Sequence, residues 1–399
     1  MSDRKKPELM SPVKNLAGLK AAAPFADAVY FGVSQFNLRA NSRGITLNSL
    51  DEFMSTCHEE DLLGYMTVNS VLYNDDLGGV ENVMKKAKEA GVDAVIVWDP
   101  AAIEAAKETG IDFFISTQAN VSNWKTAQFY ERMGAKRVIL AREMSLEQVK
   151  ETKKNIDLEI EVFVHGAMCV AISGRCLLSG YYEDSSANRG ACNQLCRREF
   201  KLIDDKGNKL ETNGKSFLSP KDLCMIEHIP KLIEAGVDSF KIEGRQRSSK
   251  YVRETAKYYR KAIDSYFKGE FSAKRAKEWK KELKKVFNRE FSTGFYFGNP
   301  GPEGISFNSG SAATMKRIQV GFVDHFYTNS SAAIVNLKHR GLEVGEDLLI
   351  EGETTYLEQS VDSLEVEGDQ INSAEKGRRV GLKTNGQVRK NDKVYVLVD

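Results

Sequence analysis

Five of the six cysteines fall within 56 residues: Cys169, Cys176, Cys192, Cys196 and Cys224. The first four are spaced C-x6-C, then 15 intervening residues, then C-x3-C. Four soft thiolates on one stretch of chain suit zinc or an iron–sulfur cluster. Zinc sites favour tighter knuckles, because neighbouring ligands must meet at one ion, whereas a cubane tolerates wider and less regular spacing. Cysteine is also a common small core residue, but five around one segment argue against buried free thiols. His165, four residues before Cys169, invites a Cys–His nucleophile. A ligated thiolate is not free to attack a carbonyl, however, and neither H-E-x-x-H nor G-x-S-x-G occurs.

A second set of polar residues follows short apolar runs: Ser11, Asn37, Arg39, Asn69, Asp99, Thr117, Gln118, Arg142, Glu143 and His165. Each alone has a bland reading. Asp99 before Pro100 caps a helix, Glu143 is a solvated loop charge, and His165 is a satisfied core imidazole. The run KIEGR is more telling, since a strand period of two puts Lys241, Glu243 and Arg245 on one face. Two cations flanking a carboxylate favour an anionic small molecule or a phosphate.

The elements that must position these groups are legible in the hydrophobic pattern. Apolar strand candidates at 8–12, 28–32, 65–69, 94–100, 113–117, 137–141, 159–165 and 239–244 alternate with helical segments such as GGVENVMKKAKEAGV. Eight βα units predict an α/β fold, a TIM-like (β/α)8 barrel over 1–300, whose chemistry belongs at the C-terminal ends of the strands. A doubly wound sheet is the alternative, but no G-x-G-x-x-G follows the first strand. An insertion at about 166–220 carries four cysteines, which would roof the barrel mouth. From 251 to 290 the pattern is helical and basic, with Lys274, Arg275, Lys277, Lys280, Lys281, Lys284 and Lys285 offering phosphate contacts. Residues 310–399 alternate over short lengths between Gly, Asn and Asp, predicting a small all-β barrel domain for docking or substrate orientation. The net charge of +1 by itself predicts neither a polyelectrolyte partner nor a strongly acidic one, and local basic patches leave nucleic acid open. No signal-peptide core or bilayer-length apolar run occurs, so the expectation is a cytoplasmic protein without a membrane partner.

The stretch EVFVHGAMCVAISGRCLLSG, with NRGACNQLCRREF, SPKDLC and FKIEGRQRSSKYV downstream, resembles the collagenase-like peptidase family. ELMSPVKNLAGLKAA, DAVYFGVSQFNLRA, STQANVSN and LAREMSL extend the resemblance across the barrel region. Despite the family's name, the resemblance implies hydroxylation. Related branches act on tRNA wobble uridine, on a ribosomal RNA cytidine and on ubiquinone, and carry a [4Fe–4S] cluster on four cysteines. The CNQLC pair makes this chain most similar to the tRNA branch, which forms 5-hydroxyuridine at position 34 with prephenate as an implicated metabolite. The resemblance places the ligands at Cys169, Cys176, Cys192 and Cys196, with Cys224 as an alternative fourth ligand.

The resulting expectation is an RNA hydroxylase acting on tRNA, using an iron–sulfur cluster, a small anionic metabolite and an electron donor protein. Position makes Arg142, Arg175, Lys241 and Arg245 candidates for holding anionic groups, Glu243 a candidate acid or base, and His165 a further catalytic candidate. Two other readings stand beside it: a peptidase, and a non-catalytic RNA-binding or accessory scaffold stapled by zinc or a cluster.

Overall fold

A computed structural model of the chain describes residues 5–38, 44–200, 202–210, 218–306 and 310–398. Arg39, one of the strand-end candidates, lies outside the described residues. Two compact units are present: Met1–Lys14 with Ala22–Ala312, and Asn15–Ala21 with Ala313–Asp399.

The first unit is a closed parallel barrel. Its strands are β1 (Glu8–Pro12), β2 (Ala28–Phe31), β3 (Leu63–Val68), β4 (Ala94–Val97), β5 (Phe113–Ile115), β6 (Arg137–Ile139), β7 (Glu159–Gly166) and β8 (Ser239–Ile242). Each pairs with the next in parallel, and β8 closes on both β7 and β1. The apolar runs that mark strands in the sequence are buried nearly throughout, since helices cover the outside and side chains fill the inside. The fourth run stops short of its expected end. Asp99 turns the chain by accepting from Ala101 N at 3.0 Å, and Pro100 opens the next helix.

The interior departs from the usual apolar filling. At the level of the strand starts, Arg137 donates to Glu8 at 2.6 Å, to Glu159 at 2.8 Å and to Glu161 at 3.1 Å. Lys241 Nζ donates to the other oxygen of Glu161 at 2.8 Å, and the Tyr65 hydroxyl to Glu8 at 2.8 Å. These groups form a charged floor, with Glu161 completely buried.

β7 carries a bulge. Lys241 pairs with Phe163, but Ile242 pairs with His165, so one residue of β7 is left unmatched. Beyond it Gly166, at φ +103°, turns the chain into the insertion, where a Cβ would come within 2.4 Å of the Glu243 carbonyl oxygen. After the insertion, a short strand Asp222–Cys224 lies antiparallel to the end of β7, with Leu223 opposite Gly166 and Cys224 opposite His165.

The basic region forms two helices, Ser249–Phe267 and Ala273–Leu283. Lys280 and Arg275 are paired with Glu227 and Glu270, while Lys274, Lys277, Lys281 and Lys284 face solvent.

The second unit is antiparallel. Its main sheet has eight strands, including Lys316–Tyr327, Ala332–Leu337, Asp347–Glu351, Arg379–Lys383 and Lys393–Val398. Alternate residues such as Ala333, Val335 and Leu337 point into an apolar core shared with Leu348, Ile350, Val394 and Val396.

Candidate functional site at the barrel mouth

A cavity of about 130 Å³ opens at the C-terminal ends of the strands, between the barrel interior and the insertion. Its lower wall carries Tyr30, Thr67, Asn69, Gln118, Arg142, Phe163, Lys241, Glu243 and Arg245. Its upper wall is the insertion, and includes Cys169, Cys176, Cys192, Gln194, Cys196 and Arg197.

The lower wall is a preset polar surface. Arg245 Nη1 donates to Thr67 at 2.7 Å and to Asn37 at 3.1 Å. Gly32 makes room for this, since a Cβ there would lie 2.7 Å from the guanidinium. Asn69 donates to Ser116 at 3.1 Å and to Gln118 at 3.0 Å, and Thr117 also lines the cavity. The Tyr30 hydroxyl lies 3.2 Å from Glu243 Oε2 and 3.0 Å from the Ile242 carbonyl oxygen, and burial pushes its acidity far down. Arg142 stacks 4.3 Å from the centre of the Phe163 ring and donates to the Ala167 carbonyl at 3.1 Å. Its Nε is buried with no hydrogen-bond partner, a donor whose need is unmet. Lys241 is less free than its position in KIEGR implies, because Glu161 takes its charge from below. Burial disfavours the Glu161 anion, but Lys241 and Arg137 together outweigh it and hold the carboxyl below its usual range.

The insertion is built of short turns held by side chains. Arg189 clasps Asp76 at 2.6 and 3.1 Å, and Val71 N donates to the Asn188 carbonyl at 2.9 Å, fixing it to the loop after β3. The Asn188 side chain accepts from Cys176 N at 3.0 Å, and Leu178 N donates to the Cys176 sulfur at 3.4 Å. Ser173 N donates to Glu143 at 3.2 Å and its hydroxyl to Asn120 at 2.8 Å. Arg197 reaches from beside Cys196 to the Ser219 hydroxyl and Pro220 carbonyl, both at 3.0 Å, and to the Met168 carbonyl beside Cys169.

The four thiols thus share one wall, and Cys196 senses all the others. Burial raises its pKa, with Arg197 opposing and Cys169, Cys192 and Cys176 adding to the rise. Among the described residues no group of three His, Cys, Asp or Glu is placed to hold a metal ion. Zinc needs its sulfurs about 2.3 Å from a single ion, whereas a cluster takes one thiolate at each of several irons. Four soft donors lining one wall are a set of the kind that either group uses.

Three candidates fall elsewhere. Cys224 does not line the cavity; it is buried behind β7, its sulfur 3.9 Å from the Tyr259 hydroxyl, and burial pushes its thiol to about 11. His165 does not line it either, because the bulge turns the ring out of the barrel, against Tyr251, Tyr259 and Phe291. Its Nδ1 lies 3.3 Å from the Tyr259 hydroxyl, and burial drops its pKa to about 3, so it stays neutral and is the satisfied core imidazole. Arg175 is exposed outside the cavity lining, 5.7 Å from the Trp98 ring centre. Among the described residues no histidine lines the cavity. Glu161 and Arg137, which set the state of Lys241, escape sequence reading because their partners lie on other strands. Their one signal is charge at inward-facing positions of otherwise apolar runs.

Comparison with known proteins agrees with the motifs. The chain is 45% identical to an uncharacterized protease of Methanocaldococcus jannaschii over 98% of each chain. It is 36% identical to a collagenase of Porphyromonas gingivalis over 97% of each. It is also 41% identical to tRNA hydroxylation protein P1 of Bacillus subtilis over 75% of this chain and 73% of that one. The model of Peptidase family U32 matches residues 14–306, which hold the barrel from β2 to β8, its insertion and the cavity-lining residues; the chain belongs to this family.

Proposed function

We propose that the protein hydroxylates tRNA, forming 5-hydroxyuridine at wobble position 34, with an iron–sulfur cluster on Cys169, Cys176, Cys192 and Cys196. The observation that carries this reading is the convergence of four thiols and the Arg142, Lys241, Glu243 and Arg245 constellation on one cavity. The similarity to tRNA hydroxylation protein P1 supplies the substrate class. When bound, the cluster supplies electron transfer or a Lewis-acidic iron at the cavity roof.

The protein's own residues do the rest. Arg142, with its unused Nε, and Arg245 hold a small anionic co-substrate, for which prephenate, a dicarboxylate, has matching chemistry. Glu243 accepts from Tyr30 and is the cavity carboxylate placed to take up or release a proton. Asn69 and Gln118, already aligned by mutual hydrogen bonding, offer amide groups suited to the edge of a base. The exposed lysines of the Ala273–Leu283 segment provide contacts to the RNA backbone. An electron donor protein completes the system.

Peptide hydrolysis, the activity in the family's name, has one support in the similarity to the collagenase. The cavity offers it no imidazole base, and its cysteines are better used together than singly.

Anaerobic purification with iron, sulfide and tRNA nucleoside analysis tests the proposal. Full-length protein restores 5-hydroxyuridine in a strain lacking the activity, and Cys176→Ala and Cys192→Ala abolish both restoration and iron binding. A colourless wild-type protein with stoichiometric zinc, or undiminished 5-hydroxyuridine without the gene and any paralogue, would sink it.

A further inference from the structure

Beside Cys196 lies a group of charges that the proposed reaction does not use, and of which only Arg197 is named in the cavity lining. Arg289 is only 5% exposed. Its Nη2 donates to Gln194 Oε1 at 3.1 Å, but its Nε and Nη1 are buried with no hydrogen-bond partner. Its one carboxylate neighbour, Asp222 Oδ1, is 3.7 Å from Nη1, beyond hydrogen-bond reach, and that oxygen too lacks a partner. Arg247 packs 3.5 Å from the Phe287 ring centre and Arg289 lies 5.0 Å from the same ring. Burial disfavours the Asp222 anion, and three guanidinium groups, those of Arg289, Arg247 and Arg197, oppose that electrostatically.

A buried surplus of positive charge with idle N–H donors is costly unless something anionic faces it. Arg289 lies within electrostatic reach of Cys196, and burial together with Arg197 and Arg247 makes its own charge harder to hold. Gln194, in the left-handed conformation at φ 54°, presents its side chain to Arg289 from between Cys192 and Cys196. Through Gln194, Arg289 is joined to the turn that carries Cys192 and Cys196.

We propose that Arg289, backed by Arg197 and Arg247 and moderated by Asp222, is a positioning residue that places positive charge beside the sulfur ligand at Cys196 and raises the reduction potential of the metal centre. The inference rests on the cluster reading above. Potentials of such centres follow net charge and hydrogen bonds to sulfur. Removing a cation lowers the potential, and removing the opposing anion raises it.

The test is a potentiometric titration of the anaerobic full-length protein, followed by electron paramagnetic resonance, with iron and sulfide determined on each sample. Arg289→Met is expected to keep wild-type iron and sulfide and shift the midpoint to more negative values, Arg289→Lys to shift it less, and Asp222→Asn to shift it positively. Wild-type midpoints in both Arg289→Met and Asp222→Asn would overturn the proposal while leaving the cluster reading intact. Should Arg289→Met fail to hold the centre, Arg289→Lys and Asp222→Asn decide, and unshifted midpoints in both overturn it. Wild-type protein without iron and sulfide would overturn the cluster reading and this inference with it.

Discussion

Lys241 and Glu161 meet at 2.8 Å, both all but sealed from solvent, and Arg137 approaches the other oxygen of the same carboxylate at 3.1 Å. Removing the shared anion leaves buried Lys241 without its carboxylate, while Arg137 keeps Glu8 and Glu159; stranding one such charge costs about 3–5 kcal/mol. Glu161→Gln is therefore expected to lower unfolding stability by that amount in urea titrations, a larger loss than any single exposed lysine of the basic helix produces. His165 gives a pH signature. The unfolded chain takes up a proton near pH 6.5, the native ring only near 3, so stability falls as pH drops through that window. Between pH 7 and 5 the loss is about 2 kcal/mol, and His165→Phe should remove that part of the slope. At this scale the sequence revealed the cysteines and KIEGR because their spacing is local. It did not reveal that Lys241 is spoken for, because the partner is set by which strands lie side by side.

The end of β7 decides what each neighbouring residue does. A strict alternation from Glu161 and Phe163 carries His165 into the barrel, and the bulge reverses that. Nothing in VFVHG announces an extra residue, since a bulge answers the fit between two strands, not the pattern of one. The glycine that follows was legible only as a turn, whereas its crowding against Glu243 appears once β8 is beside it. Gly166→Ala must either push that carbonyl away or shift the insertion. We expect at least a several-fold loss of bound iron per protein and a lowered melting temperature, both measurable on the anaerobic protein. Cys176→Ala, by contrast, should lose iron without a comparable loss of barrel stability, because its thiol supports no strand.

Two cores, one for each unit, hold the molecule. The second was readable from alternation because one face of each strand is buried and the other is not, as in Ala332–Leu337. Leu348→Ala should cost about 2–5 kcal/mol in that unit, seen by calorimetry, while iron content stays at the wild-type level. How the first unit fills its interior has a kinetic consequence. The floor of Glu8, Arg137, Glu161 and Lys241 lies below the chamber, and the proposed RNA base would stand at its opening at the C-terminal ends of the strands. A small anion must then enter before the RNA and wait behind it until the RNA departs. Steady-state rates with both substrates varied should show a compulsory order, metabolite first. Excess RNA should act as a dead-end inhibitor by shutting the empty chamber.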